Sequence, residues 1–242
     1  MEAKYLDGRY FDLVFKDYLG KIKNPFMVNI YVDNNGQGTP YVESNLVQDK
    51  NLFVSNGKSD VYILRLIVQV FATVFNSSVE HMRADAKLVS RHSNLLVIDN
   101  RYKKIMRFEP TMGNVFDEQI NSVLGADLKQ LNSFKGYEFM EIPEHPQTNV
   151  PGNDDLCVAY VIKFAMKYIE NLPIIFIGYN DMLAFAQEIV NTYGSLPQSG
   201  ADVEFHGGFG FGGALLGGLA IGGLLGATAI AASRPQTTVI YR

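Results

Sequence analysis

Cysteine is nearly absent from this 242-residue chain: Cys157 is the only thiol. A single thiol excludes an intrachain disulfide and a cysteine-rich metal knuckle. Histidine is scarce as well. His81, His92, His145 and His206 are scattered without metal-ligand spacing, so neither a metal nor a cofactor is expected. Basic residues are not in excess either: 21 Lys and Arg stand against 25 Asp and Glu, a formal charge of −4. With no long basic tract, a nucleic-acid groove is not expected. The first twenty residues, "MEAKYLDGRYFDLVFKDYLG", break their apolar content with charges and do not read as a secretory signal, which points to synthesis in a reducing compartment.

What is present is enough apolar sequence, 47% of the chain, for one sizeable core over residues 1–200, followed by a distinct tail over 201–242. Residues 1 to about 55 mix short apolar runs with turn signals and predict strands and loops. "SDVYILRLIVQVFATVFNSS", from Ser59, has a cap residue and the length of a packed helix, although a strand uses much of the same composition. "NLLVI" (94–98), a polar turn from Asp99 to Lys103 and "KIMRFE" (104–109) read as a hairpin, which brings His92 and Glu109 to the same open end. "NVFDEQINSVLGAD" predicts a short amphipathic helix, and residues 134–155 one short strand and a Pro/Gly-rich loop. "DDLCVAYVIKFAMKYIENLP" predicts a central helix, capped by Asp154 or Asp155, with Cys157 in its first turn; "NDMLAFAQEIVNTYG" predicts a last amphipathic helix.

A thiol at a helix N-terminus faces unpaired N–H groups and the positive end of the dipole. That field contributes about 0.3–1 kcal/mol at an exposed site, too little by itself to make a dedicated nucleophile. An imidazolium partner supplies a stronger charge and a proton for a leaving amine. His92 is the candidate base, Glu109 the acid that orients its second nitrogen, and Gln147, with the Cys157 N–H, the donor pair for an oxyanion. Taken singly, each has a plainer role: core thiol, strand-edge histidine, charged strand end, loop amide. Together they fit acyl transfer or hydrolysis at an amide carbonyl.

The order histidine, acid, glutamine, cysteine, in "HSNLLVIDNRYKKIMRFEP" and "PQTNVPGNDDLCVAYVIKFAMKYI", resembles the cysteine proteases of adenoviruses and large DNA viruses, relatives of the SUMO and ubiquitin-like proteases. The resemblance implies an α+β fold of the papain-like, ubiquitin-like-protease type, with a central mixed sheet and a buried helix headed by the cysteine. It assigns His92, Glu109 and Cys157 as a triad and Gln147 to the oxyanion hole. Asn94 matches a position two beyond the histidine in the large-virus relatives. "RFEP" favours Glu109 over Asp99 as the acid and leaves Asp99, like Asn94, a supporting candidate. Val158 departs from the small residue that often follows the cysteine, and Gln147 stands ten residues before Cys157, as in the large-virus form.

The implied function is an endopeptidase that processes viral structural precursors, its partners being those precursors or capsid proteins in the virion and infected-cell cytoplasm. Two alternatives stand beside it: a catalytically degenerate capsid or membrane-linking virion protein, and a ubiquitin-like deconjugating protease. The tail is uncharged from Gly207 to Ser233, and residues 214–232 match the length of a bilayer span, with Gly218, Gly222 and Gly226 forming a packing ridge. The expectation is a membrane contact, the alternative a flexible tail or one seated against a protein partner. "LLGG" (215–218) resembles the Gly-Gly cleavage sites of the viral relatives and suggests self-processing.

Overall fold

The computed structural model describes residues 6, 8–16, 22–33, 40–46, 60–73, 84, 86–111, 116–147, 156–194 and 237–240. One mixed sheet contains β1 (Ile22–Asp33), β2 (Tyr41–Ser44), β3 (Val61–Thr73), β4 (Lys87–Asp99), β5 (Lys104–Phe108) and β6 (Glu138–Glu141), in the order β2-β1-β3-β4-β5-β6. The β1/β3 and β5/β6 pairs are parallel and the other pairs antiparallel. The helices are α1 (Gly8–Phe15), α2 (Asp117–Gln130), α3 (Cys157–Ile169) and α4 (Gly178–Tyr193). A separate two-stranded sheet pairs β7 (Ile174–Ile177) antiparallel with β8 (Thr237–Ile240). This is the expected α+β architecture, with a mixed sheet and a buried helix that begins at the cysteine.

Successive residues of a strand face opposite sides, and here both sides are covered. Val61, Ile63, Leu95, Val97 and Phe108 face a core shared with α1, α3 and α4. Leu64, Leu66, Val68, Leu96 and Ile98 face the other way, onto Ile120, Leu124 and Leu128 of α2. This two-sided burial explains the one large correction: the helix expected from Ser59 is the central strand β3. A strand covered on both faces reads as a continuous apolar run, so its periodicity resembles that of a buried helix. The β-branched residues of "VYILRLIVQV" suit the pleated alternative.

The N-terminal expectation of strands and loops holds for β1 and β2 but omitted α1, which buries Tyr10, Phe11, Val14 and Phe15. The Arg65 guanidinium donates to the Gly8 carbonyl, and a Cβ on Gly8 would collide with that guanidinium. The β4–β5 hairpin forms as predicted, from Asp99↔Lys104 to Leu95↔Phe108.

Helix α3 is buried on most sides, through Val158, Ala159, Tyr160, Val161, Ile162, Phe164, Ala165 and Tyr168. Phe164 stacks on Phe108 at 4.2 Å and on Tyr168 at 5.8 Å between centroids. Leu156 is the N-cap residue and makes no side-chain capping hydrogen bond, and the expected caps Asp154 and Asp155 lie outside the described residues. Among the described residues no helix is long and apolar enough to cross a membrane. The apolar stretch 214–232 and its "LLGG" lie outside them.

Phe164 has no exposed surface, so Phe164→Ala should destabilise the protein by about 3–5 kcal/mol, the usual range for a buried Phe→Ala substitution. Tyr102 is 66% exposed at the hairpin turn, and Tyr102→Ala should stay within about 0.5 kcal/mol. Urea unfolding of both variants checks the pair; equal losses would contradict the packing described.

Candidate active site

The ladder between β4 and β5 stops at Leu95↔Phe108. His92 therefore stands beyond the last pair on β4, and Glu109 directly follows the last paired residue of β5. At this mouth His92 Nε2 and Glu109 Oε1 are 2.5 Å apart, and both side chains are buried. Glu109 is held from several sides. Its Oε1 also accepts the Thr111 N–H at 3.0 Å, and its Oε2 accepts from Arg107 Nη2 at 3.1 Å.

With Nε2 against Glu109, Nδ1 is the ring nitrogen that remains for Cys157, which lies near enough to the ring to raise its pKa. Cys157 is the first residue of α3 and is partly buried. The first helical hydrogen bond runs from the Tyr160 N–H to the Leu156 carbonyl, so the Cys157 N–H has no acceptor within the helix. The sulfur thus sits at the end of the helix where donors converge.

The electrostatics follow from this packing. Burial alone would lower the His92 pKa, but the Glu109 carboxylate and Cys157 together raise it well above its ordinary 6.5. For Glu109 burial works toward the neutral acid, and is overcome by His92, Arg107 and the Thr111 N–H, which hold the carboxyl below its ordinary value. An imidazolium and a carboxylate result, oriented by one short hydrogen bond.

Gln147 is buried, and its N–H donates to the Pro110 carbonyl at 2.8 Å. His145 Nδ1 donates to the Glu109 carbonyl at 2.9 Å. The segment 145–147 is thereby fastened along 109–110, beside the triad candidates. Asn94 is also at the site, although not against His92: its Oδ1 accepts from Arg107 Nε at 2.9 Å and Nη2 at 2.7 Å.

Asp99 is not brought to the site. It lies at the other end of β4, where it accepts from Arg101 Nη2 at 2.6 Å and from the Tyr168 hydroxyl at 2.8 Å. Despite burial, those donors lower its pKa. The seven-residue step from His92 to Asp99 spans about 23 Å of strand, so Asp99 acts on the far end of α3 and not on the imidazole.

Arg107 is the residue that sequence reasoning missed. It is fully buried, and besides Asn94 and Glu109 it donates to Asn121 Oδ1 at 3.0 Å and Asp117 Oδ1 at 2.8 Å, with Glu141 Oε1 at 3.8 Å. A signal existed. In a strand, Ile105, Arg107 and Glu109 share a face, so a hairpin that buries Ile105 also turns an arginine inward beside the acid.

No protein-family model matches the chain, and no curated protein does. Among solved structures, the chain is similar to the SUMO protease Ulp1, at 12% identity over 78% of each chain with a TM-score of 0.41. It is also similar to ChlaDub1 of Chlamydia trachomatis, at 14% identity over 64% of this chain and 79% of that one, TM-score 0.36. The Chlamydia trachomatis effector Cdu1, solved bound to ubiquitin, gives 11% identity with the same coverages and a TM-score of 0.37.

The pKa directions generate a pH prediction. A raised His92 pKa contributes stability that is complete below the unfolded value and lost as pH rises through the folded one. The lowered Glu109 pKa contributes stability above its unfolded value that is lost as pH falls through the folded one. Between these limits both charges persist. Followed by NMR, the His92 ring should titrate with a midpoint above 6.5, and Glu109→Gln should lower that midpoint because burial is then less opposed. An unchanged midpoint in Glu109→Gln would contradict the assigned coupling.

Proposed function

We propose that the protein is a cysteine peptidase, using Cys157 as nucleophile, His92 as base and acid, and Glu109 as the group that holds the ring. The observation that carries this reading is the buried His92–Glu109 pair, hydrogen-bonded through Nε2, with the other ring nitrogen left for a thiol at a helix N-terminus. The Cys157 thiolate attacks the scissile carbonyl carbon, and the carbonyl oxygen becomes an oxyanion. The Cys157 N–H and the Gln147 side-chain amide are its donors in this reading, which the tether of Gln147 to Pro110 supports.

His92 then passes its Nδ1 proton to the amide nitrogen, the C–N bond breaks, and the amine leaves behind a thioester. A water gives its proton to His92 and adds to the thioester carbon. Collapse expels the Cys157 sulfur and releases the acid. Glu109 keeps its charge throughout, because Arg107 stands behind it.

The substrate proposed is a polypeptide cut after a Gly-Gly pair, within a viral structural precursor. This substrate reading is supported by the resemblance of "HSNLLVIDNRYKKIMRFEP" and its cysteine helix to the large-virus proteases. Deconjugation of a ubiquitin-like protein uses the same chemistry and remains the competing reading.

An electrophilic peptide ending in Gly-Gly should label Cys157 in the folded protein. Labelling should fall by roughly 100-fold or more in His92→Ala, the scale of a lost general base. Cys157→Ser should abolish turnover while leaving the fold intact. Equal labelling of wild type and His92→Ala would reduce the site to an exposed thiol. A preference for full-length ubiquitin or SUMO electrophiles over the peptide would favour the deconjugase, and turnover of neither with an intact fold the degenerate virion protein.

A further inference from the structure

Resting on that reading of the site, a second role is written in the residues around Glu109. A carboxylate can rotate to present either oxygen, and one that is buried is driven toward its neutral form. Neither happens here: against burial, His92, Arg107 and the Thr111 N–H together keep the carboxyl below its ordinary value, and Arg107 decides which oxygen faces which partner. Arg107 reaches Glu109 Oε2 through Nη2, which leaves Oε1 for His92 and the Thr111 N–H.

The guanidinium is itself fixed from three elements. Asn94 on β4 receives Nε and Nη2; Asn121 and Asp117 on α2 receive Nη1 and Nη2; Glu141 on β6 faces Nη1. A planar fork held in this way has one orientation, which an ammonium on a flexible stem would lack. We propose that Arg107 is the positioning residue of this site, fixing the Glu109 carboxylate so that Oε1 alone is offered to His92, with Asn94 as its principal seat. Helix α2, on the opposite face of the sheet from α3, thereby becomes part of the catalytic apparatus without touching a reacting atom.

Arg107→Lys in the full chain tests the proposal, since it keeps a cation but removes the fork. Two readouts do not depend on any peptide substrate: the downfield imidazole N–H resonance of His92 in proton NMR, and the pH profile of the His92 ring carbon-bound protons. Arg107→Lys should broaden or lose the resonance and move the midpoint of the His92 ring to lower pH, because a loosely held Glu109 carboxylate opposes the effect of burial less. Asn94→Ala, which removes the seat without altering charge, should move both readouts in the same direction, and decides the matter if Arg107→Lys does not fold. A folded variant with wild-type resonance and profile overturns the role of Arg107 alone. A wild-type protein that lacks the resonance and whose His92 ring titrates no higher than the ordinary 6.5 overturns the peptidase reading, and the positioning role with it.

Discussion

The burial of one positive charge organises this fold. Removing a guanidinium from water costs several kcal/mol unless its donors are met and its charge is answered. Arg107 has no exposed surface, and the response comes from β4, β5, β6 and α2 together. These elements converge where the cation is, and that convergence fixes the mouth of the hairpin. Asp117 shows the strain of the arrangement: burial and the neighbouring carboxylates push its pKa up to about 6 even with Arg107 beside it. More acid surrounds the guanidinium than one positive charge neutralises, and the His92 imidazolium answers only part of the excess.

A second constraint aligns the cysteine. Helix α3 lies along β4, with Cys157 near His92 at one end and Tyr168 hydrogen-bonded to Asp99 at the other. Between these ends, Phe108, Phe164 and Phe176 form stacked contacts at 4.2 and 5.7 Å that oppose sliding. A slip of one residue would move the sulfur about 1.5 Å along the helix axis, a large displacement for a group that must work beside the ring.

Much of this was legible in the sequence, and for identifiable reasons. The hairpin and its two polar ends could be read because out-and-back runs of similar length with a charged turn admit few other geometries. The cysteine helix could be read because it is long and apolar on most sides. The central strand β3 could not, since burial on both faces erases the two-residue alternation that distinguishes strand from helix. Asp99 was misplaced as a supporting residue because closeness in sequence to His92 is distance in space along an extended chain. Arg107 went unread because it took three-dimensional neighbours, Asn94, Asp117, Asn121 and Glu141, to make a buried charge plausible.

The small sheet of β7 and β8 imposes a rule of parity. Tyr193 ends α4 and residues 237–240 pair with β7, so the described residues on either side of the interval belong to the same fold. While β8 stays paired, any path through a bilayer must cross it an even number of times. Two helical crossings need about forty apolar residues, whereas 214–232 supplies 19. A single-pass anchor and a paired β8 are therefore mutually exclusive states of the same chain: to span a membrane once, the protein must first give up its last strand.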